Sequence, residues 1–509
     1  MSALLLLAAA CGGDDTAEGE SGDEEAQLEG GAVADDAAAA ALTSTTVTDD
    51  GAAATATPTS MEEWEALWAE ERAAIVERIR SEGYGINDEN ILIGPAGFEI
   101  DLNNCPADWS DTPGLDGSIL IGHTTTQSGN LAAYGNIAAG MEVLFDQVNA
   151  NGGIGGVPIE MVVKDDGYVA TQTIELIDEL MQSEDPFMIT TLGSPNTLAV
   201  YDTINDNCIP HPFAQTGHPA WGDPENHPWT TGLAMSYTTE AVFWGQWIRA
   251  NMADQLPVKV AALVNDNDFG KAYGIGFERW AEQNPDVVSE FVQIGHDPAA
   301  ATVTNEMTTI AAEDPDVFIS MTAGNPCLLA VQEAGNNGLT ESADVLFAPQ
   351  TCKDPQAFMV PAGDAADGWW IVGGGAKTTT DSQFADEPYI AFVNDELAGA
   401  GLDPTVGLYG TGFSQYGWPY IHALLIASEL DGGLTRTNFM LALRSMEMTH
   451  PLYLPGIAFS MNGNEDAYYV EGTEFARYDA TGQTWVQVGD VVDLNGESPN
   501  CAWTESGCA

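Results

Sequence analysis

Along residues 118–350 the apolar positions alternate between two rhythms. Short, largely apolar runs, SILIGHTT (118–125), PIEMVVKDD (158–166), VKVAALVND (258–266) and DVFISMT (316–322), read as strands. Between them apolar residues recur every three or four positions. Ile137, Met141, Leu144, Phe145 and Val148, for example, mark one face of a helix. The same reading predicts helices over 171–180, 270–283, 302–313 and about 327–336, and strands over 287–294 and 345–350. Strands alternating with helices predict parallel sheets covered by helices. The first series ends near PHPFAQTGHPAW (210–221) and the second opens at Val258. Two such series predict two doubly wound α/β lobes with a cleft between them. GWWIVGGG (368–375) and PLYLPGIAFSM (451–461) are expected as crossings between the lobes.

One junction stands out. In FMITTLGSPNTLAVYDTI (187–204) a strand runs into Ser194-Pro195, a helix-start signature with Ser194 as the expected cap and Pro195 in the first turn. That arrangement leaves backbone amides and a hydroxyl at the carboxyl edge of a sheet, where open α/β folds place ligands. Upstream, Ser60 and Glu63 make a capping-box pattern. Trp64, Leu67, Trp68, Ile75 and Ile79 then form the apolar stripe of a helix over 60–80, docked on the body or on a partner.

The chain begins MSALLLLAAAC, an apolar run too short to span a bilayer that ends at Cys11 like a bacterial lipobox. Residues 12–58 carry Ala, Gly, Thr, Asp and Glu with almost no large apolar side chain, the composition of an acidic tether. Over the 509 residues, 77 acidic side chains face 13 basic ones, five of them Lys, for a formal charge of −64. Like charge excludes nucleic acid and anionic membrane surfaces as partners. An acid-rich, Lys-poor surface suits concentrated salt, where screening acts over a few ångströms.

Six cysteines remain beyond Cys11: Cys105, Cys208, Cys327, Cys352, Cys501 and Cys508. An even set in an exported chain reads as disulfides, with fifteen pairings open. Cys501–Cys508 would close a short loop and Cys327–Cys352 would join neighbouring strand ends, leaving Cys105 with Cys208. No cysteine has zinc-ligand spacing, and no metal or cofactor is expected.

Signals for catalysis are sparse. The chain has no Gly-x-Ser-x-Gly elbow and no His-Glu-x-x-His helix. His211 and His218, in a loop rich in Pro and Trp, read as structural. Trp221 and Trp229 could face a ligand or the inter-lobe hinge. NANGGIGG (149–156) follows a helix and precedes a strand, the reverse of a phosphate loop, so it reads as a turn. NDNDFG (265–270) lacks the distal Glu of a calcium loop. Asp165-Asp166 reads as turn capping.

The stretch TTTQSGNLAAYGNIAAGMEVLFDQVNANGGIGGVPIEMVVKDDG (124–167) resembles the start of the branched-chain amino-acid binding proteins. These are type I periplasmic solute-binding proteins of ABC transporters, and the resemblance runs over about 118–480. It implies two Rossmann-like lobes joined by a hinge of several crossings. Lobe I would comprise 117–236 and 374–450, and lobe II 237–373 and 451–490. A 59–116 extension would precede them, and a Cys-containing tail would follow at 491–509. Ligand contacts would come from Tyr134, Ser194, Gln215, Thr216 and Gly217 of lobe I, and from Phe269, Ala323 and Gln350 of lobe II. Ala323 and Gln350 stand where the family has an aromatic and an ammonium-binding Glu, and Gly217 lacks the family's hydroxyl. The expected ligand is therefore a small polar solute such as an amino acid, an amide or an organic acid. The implied role is capture for an ABC permease by an extracytoplasmic protein, lipid-anchored at Cys11. A ligand-sensing component and, less favoured, a surface enzyme are the alternatives.

Overall fold

The computed structural model describes residues 58–508 apart from 116, 505 and 506. Cys11 and all but the last residue of the expected tether lie outside the described residues. Order begins with the helix Met61–Glu82. Ser60 caps it by accepting the Glu63 N–H, and Gly83, at φ 73°, ends it in the left-handed region. Its apolar stripe is buried against the body: Trp64, Trp68, Ile75, Val76 and Ile79 belong to the core of lobe I. The Trp68 ring meets Trp418 at 5.5 Å and His422 at 5.2 Å, and its Nε1 donates to the Thr449 carbonyl at 3.0 Å. Behind the helix, residues 85–101 form a three-stranded antiparallel meander that the apolar pattern did not reveal.

Lobe I is built on parallel strands. Ile119–Thr125 lies between Ile159–Asp165 and Met188–Thr191. The sheet continues through a Leu192–Gln215 bridge to His211–Ala214, which pairs with Thr230–Gly232. Gly135–Ala150 and Ala170–Ser183 are the covering helices. Arg436 and Arg444, both buried, fasten the lobe from within. Arg436 donates to the carbonyls of Pro186 and Phe187, and Arg444 to those of Pro228 and Thr230.

Lobe II carries a seven-stranded sheet in the order Val288–His296, Val258–Asn265, Val317–Met321, Val345–Ala348, Trp370–Val372, Phe475–Asp479, Thr484–Gln487. The first five strands are parallel, and the last two close the edge antiparallel. Trp370–Val372 is thus a true sheet strand. Residues 451–470, expected in lobe II, instead pack with lobe I through Leu452, Tyr453, Phe459, Met461, Tyr469 and Val470. Their apolar side chains are satisfied there, so the chain returns to lobe II only at about residue 472. Disulfides join Cys105–Cys208, Cys327–Cys352 and Cys501–Cys508.

Three crossings link the lobes, near residues 233–236, 373–377 and 471–474. The last two are stitched together. The Gly373 amide donates to the Glu474 carbonyl at 3.0 Å, and the Gly375 amide to its carboxylate at 2.9 Å. Lys353 reaches the same place and donates to Glu474 and to the carbonyls of Gly373 and Ala376. A backbone held this way leaves little play in the hinge except bending along it.

The N-terminal helix contributes core rather than a loose appendage. Replacing Trp68 by Ala is expected to cost about 3–5 kcal/mol of stability, read as a lowered midpoint in denaturant melts.

Candidate functional site

The two sheets turn their carboxyl edges toward each other and enclose a cavity of about 160 Å³. Lobe I contributes the turn after Ile119–Thr125, the Gly193 junction and the Gln215–Gly217 strand end. Lobe II contributes the starts of Asp268–Gln283 and Asn325–Asn336 and the turn after Val345–Ala348. Each of these loops follows a buried strand, so the sheets fix where its side chains point.

Seven of the eight residues expected at the site line this cavity: Tyr134, Gln215, Thr216, Gly217, Phe269, Ala323 and Gln350. Ser194 stands one layer back. It is fully buried, and its hydroxyl shares a 2.7 Å hydrogen bond with the Thr216 hydroxyl, which itself lies 3.3 Å from the Tyr237 hydroxyl. The expected cap is also corrected. Gly193, at φ 94°, takes the cap position and Ser194 is the first helical residue, with no cap bond from its side chain. A glycine can turn the chain sharply enough there to leave the serine hydroxyl free for Thr216.

Tyr134 crosses the cleft. Its hydroxyl accepts from the Gly324 amide at 3.0 Å and donates to the Thr351 carbonyl at 3.1 Å. Burial holds its pKa well above the ordinary phenol value. Asn130, on the same turn, donates to the carbonyls of Pro298 and Ala300 at 3.1 and 2.7 Å. The lobes are therefore closed, latched by backbone groups of lobe II. Gly324 is required at the contact: at φ 63° a Cβ there would lie 2.4 Å from Leu131 of lobe I.

The polar wall holds Lys353, Asp354 and Lys377. Lys377 pairs with Glu387 at 2.5 Å. Asp354 accepts from the Thr380 hydroxyl at 3.1 Å and the Gln356 amide at 3.0 Å, while burial raises its pKa. Gln215 leaves its buried Oε1 without a partner. Behind Gln350, Glu240 is fully buried and accepts the Gln350 amide at 2.9 Å and the Tyr273 hydroxyl at 2.6 Å. Desolvation pushes its pKa up to about 8 against the pull of those two donors. The Gln350 side chain turns to the Met235 carbonyl at 3.2 Å.

Residues missed in the sequence include Tyr168, Tyr237 and Tyr416 together with both lysines, all of them on the cavity wall. The lysines carried a signal: a chain with five Lys places two of them at one cavity. Other groups settle elsewhere. His211 is buried between the Thr191 and Thr230 hydroxyls, and burial pushes its pKa down to about 3. Trp221 and Trp229 are buried in lobe I, and His218 packs on Trp503. Asn267 caps Asp268–Gln283 through the Phe269 and Gly270 amides. Asp165 and Asp166 accept the Gly167 and Tyr168 amides, as turn caps do. Among the described residues no three His, Cys, Asp or Glu side chains gather to hold a metal.

Residues 118–482 match the family described as periplasmic binding protein. The chain belongs to that family. Among solved structures this binding protein is similar to a fatty acid ABC transporter substrate-binding protein from Thermomonospora curvata (18% identity, 81% of this chain, 97% of that one, TM-score 0.63). It is also similar to a branched-chain amino acid ABC transporter protein from Thermus thermophilus with bound valine (15%, 75% and 97%, TM-score 0.63). A third is a solute-binding protein from Rhodopseudomonas palustris BisB5 in complex with 3,4-dihydroxybenzoic acid (16%, 74% and 98%, TM-score 0.60). No curated protein sequence matches significantly. The fold is the type I periplasmic binding protein fold, and proteins of this family work outside the cytoplasm. No helix among the described residues is long and apolar enough to cross a membrane.

Two predictions test the geometry of this binding protein. Gly324→Ala should hinder closure, seen as a larger radius in X-ray scattering, and should lower the melting midpoint as well, since φ 63° strains an alanine. For Glu240, ionisation in place is costly. Its contribution to stability is full below its ordinary value of 4.5 and is lost as pH rises through about 8. Glu240→Gln should therefore flatten part of the fall in stability between pH 5 and 8, measured by melts across that range. Buried Asp466 and Glu471 titrate in the same direction, so the fall is flattened only in part.

Proposed function

We propose that this protein captures a small solute with an apolar body and a hydrogen-bond-accepting, anionic end, and delivers it to an ABC permease. The observation that carries the reading is the make-up of the closed cavity. Tyr134, Tyr168, Tyr237, Phe269, Phe358 and Tyr416 supply ring surface, and two lysines stand on the wall, each paired with a carboxylate, Lys353 with Glu474 and Lys377 with Glu387. The carboxylate of Asp354 is already occupied by Thr380 and Gln356, and Gln350 stands where an ammonium-binding Glu was expected. An ammonium needs a carboxylate to offset its desolvation, whereas a carboxylate needs donors or a cation. One similar protein is named for fatty acids and two hold valine and 3,4-dihydroxybenzoic acid, compounds that share a carboxyl group on different bodies.

In this reading Gln215, Thr216 and the Gly217 backbone meet the ligand from lobe I, and Phe269, Ala323 and Gln350 meet it from lobe II. Ser194 acts through Thr216. Closure is selected because only the closed state offers both walls. Lipid attachment at Cys11 and the acidic tether, which hold the body near the membrane that bears the permease, belong to the same proposal.

The test is a thermal-shift screen of the full chain in molar salt with benzoate, octanoate, valine, acetamide and urea. A ligand at a hundredfold over its Kd adds about 2.7 kcal/mol. Benzoate or octanoate should raise the melting midpoint and valine should not. A shift with valine alone would overturn the preference for a ligand without an ammonium.

A further inference from the structure

Among the described residues, Tyr168 is the one non-glycine residue lining the cavity whose backbone is left-handed. It follows Asp165, Asp166 and Gly167 at the carboxyl end of Ile159–Asp165 and sits at φ 62°, a left-handed backbone that a bulky residue rarely adopts. Three side chains hold it there. Asp165 accepts the Gly167 amide at 3.0 Å and the Gln127 amide at 2.8 Å. Asp166, fully buried, accepts the Tyr168 amide at 2.9 Å and the Thr173 hydroxyl at 3.0 Å. Asn196, from the Ser194 helix, donates to that same Thr173 hydroxyl at 2.8 Å. Turn capping accounts for the bonds, but not for a tyrosine where glycine would be unstrained.

The ring explains the choice. It lies over Gly193, where a Cβ would come within 2.4 Å of its Cε2, so the neighbouring position must be glycine for the ring to fit. The ring packs against the cores of both lobes, as Tyr134 does. The two tyrosines differ at their hydroxyls. That of Tyr134 is consumed by the latch, while that of Tyr168 has no hydrogen-bond partner among the described residues. On the same cavity wall, the lobe II position where the resemblance placed an aromatic holds Ala323.

We propose that Tyr168 is a specificity-determining residue of the cleft. Its ring, held in place by Asp166 and made possible by Gly193, forms the wall that fixes the length and shape of the ligand's apolar body. Ring surface that Ala323 does not provide from lobe II is thereby supplied from lobe I. The inference rests on the reading of the cleft as a solute site and adds the residue that sets its selectivity.

The experiment compares wild type, Tyr168→Phe, Tyr168→Leu and Tyr168→Ala by calorimetric titration of the full chain with benzoate, 2-naphthoate, octanoate and dodecanoate. Removing the ring should reverse the order within a pair. The shorter acid should weaken by about tenfold or more, as expected for a lost aromatic contact, and the longer one should gain. Tyr168→Phe should keep the wild-type order. A variant that weakens all four probes alike, or leaves their order unchanged, would overturn the proposal, since a merely structural tyrosine would act in that way. Circular-dichroism melts establish folding. If Tyr168→Ala does not fold, the order measured with Tyr168→Leu decides. Wild-type protein that binds none of the four would remove the anionic-solute reading itself, and this proposal with it.

Discussion

The closed arrangement depends on one turn of lobe I, which reaches lobe II through Asn130 and the phenol of Tyr134. The Tyr134 hydroxyl has one proton to give and a lone pair to offer, and lobe II provides a carbonyl and an amide for them at 3.1 and 3.0 Å. Because both partners are backbone, the contact recognises the shape of lobe II rather than its side chains. Opening the cleft breaks both bonds at once and returns a buried hydroxyl to water, an exchange of small net free energy. A latch of that strength suits a protein that must close on its ligand and release it again. Gly324 makes the approach possible, since its backbone at φ 63° is one that a side chain would strain.

Scarce cations organise the rest. In a chain of formal charge −64 the buried basic groups do not mainly form surface ion pairs. Arg436 and Arg444 collect carbonyl oxygens where loops of lobe I converge, and Lys353 does the same at the hinge with Glu474. A guanidinium or ammonium can satisfy several carbonyls that no strand partners, which makes it an economical fastener in an interior with many turns. Lys353 thereby links the hinge to the cavity wall, because it belongs to both.

A buried relay runs beneath the cavity floor. Ser194 meets Thr216, Thr216 approaches Tyr237, Tyr237 stacks on Tyr273 at 4.4 Å, and Tyr273 donates to Glu240, which holds the Gln350 amide. Residues that the resemblance assigned to direct ligand contact, Ser194 above all, thus also position others. Glu240 brings an acid side chain behind position 350, where it orders the loop instead of facing the ligand.

Much of this was legible in the chain, and the reason is local. Nearly continuous apolar runs such as VKVAALVND can be buried on both faces only as central parallel strands, so the two α/β lobes and the cleft at their carboxyl edges followed from pattern alone. Ser60 and the stripe from Trp64 to Ile79 defined a helix, and NDNDFG held its capping asparagine. Tertiary structure decided what depends on distant segments meeting. It set the helix on lobe I, drew 451–470 back into that lobe's core, and turned Ser194 toward Thr216. It also brought Tyr168 and the two lysines to one wall. Periodicity records which face of an element is buried, while contacts between residues hundreds of positions apart arise only when both lobes are packed and closed.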